Sequence, residues 1–225
     1  MTTGATPFGE EDLRQIYKRR FETAQAYRNE VWKVLTARFF QRYVSGSAAV
    51  LDLGCGYGEF INHIRCAEKH AMDLNPDGPR FLAKDVRFLH QNCAQPWQLS
   101  DASLEVVFTS NFFEHLPDKS ALARTLAEAW RCLKPGGHII CMGPNIRYLP
   151  GRYWDFWDHH LPLTDLSLKE GLETAGFSVT TCLSRFLPYT MVNAPRYPIS
   201  LVALYLRCPP LWKLLGRQFL VIARK

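Results

Sequence analysis

Three glycines at alternate positions, Gly54, Gly56 and Gly58, follow directly on the short apolar run Val50–Leu53, which carries one acid, Asp52. The run reads as a buried strand and the residues from about Glu59 to Arg65 as a helix. Glycines between them let the chain turn sharply and let a ligand approach bare backbone. The following helix start offers unpaired N–H groups. A strand, a glycine loop and a helix in this order hold a nucleotide-like group at the carboxyl end of a parallel sheet.

The spacing narrows the choice of ligand. A dinucleotide loop needs a small residue at its third position, which falls here on Glu59, and a carboxylate there repels a pyrophosphate. No Gly-Lys-Ser/Thr follows, so the run is not a P-loop. Further strands are expected at 48–53, His70–Asp73, Val86–His90, Leu104–Thr109, His138–Met142, Phe177–Leu183 and Gln218–Ala223. Helical periodicity covers Glu10–Tyr43 and Ser120–Leu133. Lys134–Gly137 reads as a helix stop. Ser167 and Glu170 read as a capping box opening a helix that Gly176 ends. Asp73 lies where an acid closing the second strand meets a ribose.

The pattern Asp52-x-Gly54-x-Gly56-x-Gly58 resembles that of the class I S-adenosylmethionine-dependent methyltransferases, of the small type 11 or type 23 kind. The segment Ser110-Asn111-Phe112-Phe113-Glu114-His115-Leu116-Pro117-Asp118 is similar to that family's post-strand-four motif, and Arg131–Ile140 to its lysine-proline-glycine-glycine run. The likeness covers 48–183. It implies an α/β fold: a doubly wound, Rossmann-like sheet of seven strands, mostly parallel, with the last strand antiparallel between the fifth and sixth. The expected organisation is one domain over 1–225. Helices or a lid occupy 10–43, the cofactor-binding core 48–183, an insertion 184–216 and the last strand 217–225.

The resemblance further implies S-adenosyl-L-methionine as cofactor. It would be held by Asp52, Gly54, Cys55, Gly56, Tyr57 and Gly58, by Asp73 and Leu74 at the ribose, by Asn92 and Cys93 at the adenine, and by Ser110 and Asn111 beside the methionine moiety. The family usually carries Asp where Asn92 stands, so the contact loses its charge assistance. Tyr17 and Arg20 would cover the methionine end, or form a solvated helix face. The Asn/Asp-Pro-Pro-Tyr/Phe motif of methyltransferases acting on nucleic-acid bases is absent, so no nucleic-acid partner is expected.

Seven cysteines, odd in number and never spaced Cys-x-x-Cys, fit neither a disulfide framework nor a zinc site; the transfer is expected to be metal-free. The N-terminus lacks a leader's apolar segment, and no apolar run reaches the roughly 18 residues of a membrane span. A cytoplasmic location is expected. Of the net charge of +6, seven basic residues follow Glu173 and no acid does. The insertion at 184–216 is therefore basic as well as apolar and proline-punctuated. It reads as a cap over the substrate pocket, as a homodimer interface, or as an interfacial element meeting an anionic membrane or lipid-linked acceptor.

A hydroxyl acceptor needs a base, and histidine titrates in the right range. His115, His159 and His160 are the candidates, with Asp158 to orient or assist them. Asn145, Tyr153, Trp154 and Trp157, in the aromatic loop after strand five, would meet a small or sugar-like acceptor, or form the loop's own core. An N-methyltransferase, a nicotinamide-dependent oxidoreductase and a non-catalytic relative are the competing readings; Glu59 argues against the oxidoreductase.

Overall fold

The computed structural model describes residues 9, 11–12, 15, 25–189 and 196–225. Tyr17 and Arg20, placed by the sequence at the cofactor's methionine end, lie outside these residues. In chain order the elements are α1 (Gln25–Arg38), β1 (Ala49–Leu53), β2 (Glu68–Asp73), β3 (Val86–His90), β4 (Leu104–Ser110), α2 (Lys119–Cys132), β5 (Leu133–Pro144), α3 (Asp165–Thr174), β6 (Ser178–Leu183), α4 (Ile199–Leu206), α5 (Pro209–Leu215) and β7 (Gln218–Arg224). The seven strands form one sheet in the order β3-β2-β1-β4-β5-β7-β6. All pairings are parallel except those of β7, which runs antiparallel between β5 and β6. This is the expected Rossmann-like sheet.

Alternation of side chains along the strands feeds two cores, one on each face. Leu51, Leu53 and Val107 point into one, with Leu122, Leu126, Leu168 and Leu172 from α2 and α3. Val50, Phe108 and Ile140 point into the other, with Leu35 of α1, Phe40, Phe60 and Phe186. All five residues of β1 are buried, as a central parallel strand covered on both faces requires. The strand order reverses between β1 and β4, and ligands of open α/β sheets bind at such a switch point, at the carboxyl ends.

Three local expectations change. Glu59–Arg65 is a set of turns rather than a helix: Asn62 and Ile64 make helical bonds to Gly58 and Phe60, but His63 bonds three residues back. The Asn62 side chain is fixed to Phe81 and Ala83 across the loop, which ties this stretch sideways. The helix does stop ahead of Lys134–Gly137, at Cys132, but strand five starts earlier than His138: β5 begins at Leu133, with a register shift opposite Leu104 and Val106. The capping box lies three residues earlier than expected, with Thr164 and Ser167 exchanging bonds. The 184–216 segment packs against the second core through Trp212 and Phe186, 5.0 Å apart, and Tyr205 donates to the Phe186 carbonyl.

Candidate cofactor and acceptor site

Gly54, Gly56 and Gly58 all adopt left-handed backbone, at φ of 71°, 56° and 73°. At Gly54 a side chain is also excluded by space, since a Cβ would stand 2.2 Å from the Phe112 ring. The Gly54 and Cys55 N–H groups donate to the Met72 carbonyl, locking the loop to the end of β2. There Asp73 accepts from the Gly56 N–H through one carboxylate oxygen and from the Asn75 N–H through the other, both at 2.8 Å. The glycine loop and the acid closing β2 are thus one hydrogen-bonded unit.

Beneath the loop, Asp52 is 3% exposed and its Oδ2 has no hydrogen-bond partner among the described residues. Burial, then the negative charge of Glu59, raises its pKa well above the ordinary carboxylate range. Glu59 accepts from Arg28 of α1 at 2.9 Å. The sequence used Glu59 only to exclude a dinucleotide; its long-range partner had no signal in the chain. Tyr57 stacks on Phe81 with ring centroids 4.0 Å apart. Leu74 lies beside Asp73, its carbonyl bonded to His90. The Asn92 oxygen accepts from the Ala94 N–H, and Cys93 is buried against Thr125.

At the end of β4, Asn111 takes a φ of 50°, a conformation Asn tolerates better than most residues. Its amide donates to Ser110 Oγ, while its buried Oδ1 lacks a partner among the described residues. Two orphaned acceptor oxygens, on Asp52 and Asn111, thus stand at the carboxyl ends of the paired strands β1 and β4.

A turn beyond Asn111, the aromatic loop folds back onto β4. The Glu114 carbonyl accepts from the His160 and Leu161 N–H groups. This fixes Asp158 with its carbonyl 3.0 Å and its Oδ2 3.2 Å from His115 Nδ1. His115 remains 26% exposed on its side chain. Burial opposes its protonation, but the Asp158 hydrogen bond and the Glu114 charge outweigh that, and its pKa is raised. The His115 and His159 rings lie 5.0 Å apart. His159 donates from Nδ1 to the Tyr153 carbonyl at 2.8 Å and stacks on Phe156. His160 is half-buried and joins this group through its backbone.

Two of the residues named for the acceptor are taken up by the loop's own scaffold. Asn145 is fully buried, its amide donating to Asp165 and to the Ser184 carbonyl while its oxygen caps the Arg147 N–H. Tyr153 is also fully buried and donates to the Leu161 carbonyl. Both hold the loop rather than present a face to an acceptor. Trp154 and Trp157 are 53% and 84% exposed.

A family model described as a methyltransferase domain matches residues 24–181. A probable S-adenosylmethionine-dependent methyltransferase of Mycolicibacterium smegmatis is 35% identical over 146 residues, which is 61% of this chain and 54% of the relative. The chain thus spans about half the length of that relative. A demethylmenaquinone methyltransferase of Symbiobacterium thermophilum is 24% identical over 217 residues, covering 83% of each chain. Among solved structures, an S-adenosylmethionine-dependent methyltransferase of Archaeoglobus fulgidus superposes with a TM-score of 0.66 over 91% of this chain and 98% of its own, at 22% identity.

Proposed function

The chain belongs to the class I S-adenosylmethionine-dependent methyltransferases, and from that premise we propose that it methylates an oxygen of a small-molecule or sugar-like acceptor. S-adenosylmethionine is its cofactor. The residues at the glycine loop fit that molecule: Gly54, Gly56 and Gly58 make the left-handed turn that ends β1, and the orphaned oxygens of Asp52 and Asn111 suit a ligand bearing ammonium and sulfonium charge. Asp73 would accept from the ribose hydroxyls, Asn92 and Cys93 would border the adenine, and Ser110 and Asn111 the methionine end. Bound there, the sulfonium supplies an activated methyl group. The chain then has to align the acceptor, exclude water and take up one proton.

His115 is the receiving group. Asp158 holds its Nδ1 proton, which leaves Nε2 as the lone-pair nitrogen on a partly exposed ring one turn beyond β4. That pair is the observation that carries the reading. The test is transfer of labelled methyl to panels of hydroxyl and amine acceptors. His115→Gln should lower turnover of the hydroxyl acceptor by roughly 100-fold or more while cofactor binding persists. Transfer to amines alone, or an unchanged rate in the variant, would contradict it.

A specific observation also supports contact with an anionic surface. Leu201, Leu204, Leu214 and Leu215 of α4 and α5 are 47%, 59%, 66% and 49% exposed, beside exposed Arg207 and Lys213. Such a face suits peripheral membrane binding. Flotation with anionic vesicles, weakened by salt, is the expected result; equal flotation with neutral vesicles or none at all would exclude it.

A further inference from the structure

Glu114, His115 and His159 each offer one ligand atom, and these atoms all lie within 4.8 Å of one another. We infer that they form a binding site for one divalent first-row cation, whose open positions take the acceptor oxygen. The inference rests on the preceding reading for the acceptor, not for the ion. It also departs from the metal-free transfer expected from the sequence, where ligands so far apart made no spacing motif.

The hydrogen bonds around the three groups carry the argument. His159 must donate from Nδ1, because its partner there, the Tyr153 backbone oxygen, can only accept. His115 donates from Nδ1 to the carbonyl of Asp158, beside the same residue's carboxylate. Both imidazoles are therefore set in the tautomer that leaves the lone pair on Nε2. An acceptor on the far nitrogen, a carboxylate in one case, is the arrangement that orients histidines on metals. Glu114 adds an anionic oxygen and is itself 4% exposed. Bonds of about 2.0–2.1 Å demand ~3.3 Å between ligand atoms, so an ion bound there would draw the three groups inward.

The donor set also states the ion's class. Two imidazoles and one carboxylate suit Zn²⁺, Co²⁺ or Mn²⁺ better than Mg²⁺ or Ca²⁺, which favour oxygen alone. Three protein ligands leave the coordination open, as in sites where an ion binds a reacting oxygen. An ion held there would take the His115 lone pair and so replace the base role given to that residue above: the acceptor hydroxyl, made acidic on the ion, would release its proton to solvent.

The experiment is a titration of the chelator-treated full chain with Co²⁺, read by visible absorption. Expected are one equivalent bound, no thiolate charge-transfer band from the cysteines, and displacement by Zn²⁺. Glu114→Gln and His159→Gln should weaken binding at least tenfold. Asp158→Asn, which keeps all three ligands, should weaken it by about 10–100-fold. Calorimetry with S-adenosylhomocysteine reports in each variant whether the fold and the cofactor site persist. No stoichiometric uptake, a thiolate band, or affinity indifferent to Glu114→Gln and His159→Gln in variants that still bind S-adenosylhomocysteine would overturn the site. Uptake of Co²⁺ at these residues without S-adenosylhomocysteine binding would support the ion site and refute the cofactor reading.

Discussion

One carboxylate oxygen of Asp73 fixes the Gly56 N–H, and the other fixes Asn75, so the residue shapes the loop and offers charge to a ligand at once. Asp73→Asn should reduce cofactor affinity by roughly 10–100-fold, the worth of a charged hydrogen bond, measured by calorimetry. Gly56→Val should abolish binding while the fold still forms, because a branched side chain strains the left-handed backbone; circular dichroism checks the second half. Asn145→Ala should do the converse. It strips buried Asp165 of a donor and should destabilise by about 1–3 kcal/mol, seen in denaturant unfolding, with cofactor affinity unchanged. The residues around Gly54 and Asp73 were legible because their chemistry is local: glycines take φ values that others resist, and an acid closing a strand has few other uses. The roles of Asn145 and Tyr153 were not legible, because an amide or a phenol donates equally well to a ligand or to the scaffold; their scaffold partners Asp165, Ser184 and Leu161 are brought close only by folding.

At the scale of elements, strands were placed closely, since each is a short apolar run. Their ends moved where pairing, not composition, sets the limit: β5 gained Leu133–Gly137 by pairing Leu133 with Leu104. The expected helix after the glycine loop failed because its residues are tied sideways, Asn62 to Phe81 and Ala83. The attachment of α1 had no local signal either. Arg28 reaches Glu59 across 31 positions, joining the N-terminal helix to the loop. Arg28→Met should therefore speed hydrogen exchange across 25–38 and weaken cofactor binding. Lys169→Met, which removes the exposed α3 pair with Glu173, should change stability by no more than about 0.5 kcal/mol.

For the whole molecule, a doubly wound sheet puts the glycine loop, Asp73, Asn111 and the Glu114–His115–His159 group on loops leaving the carboxyl ends of β1, β2, β4 and β5. It puts the basic α4–α5 segment outside, where Leu201, Leu204, Leu214 and Leu215 remain exposed. Protonation bears on the fold as well. Burial lowers the pKa of His138, so below about 6.5 the unfolded chain binds a proton there more readily than the folded one. Its contribution is thus present above that pH and lost as pH falls through the interval down to the folded value. The wild type should lose melting temperature relative to His138→Leu between pH 7 and 5; parallel curves would contradict this. The most direct test of the central claim is thermal melting with S-adenosylmethionine, S-adenosylhomocysteine or NAD in large excess. A ligand at about 100 times its dissociation constant adds roughly 2.7 kcal/mol, or about 5–10 °C for a chain of this size. A shift of that order with the first two and none with NAD is the predicted result. A shift with NAD alone, or with none of the three, would contradict the assignment of the glycine loop.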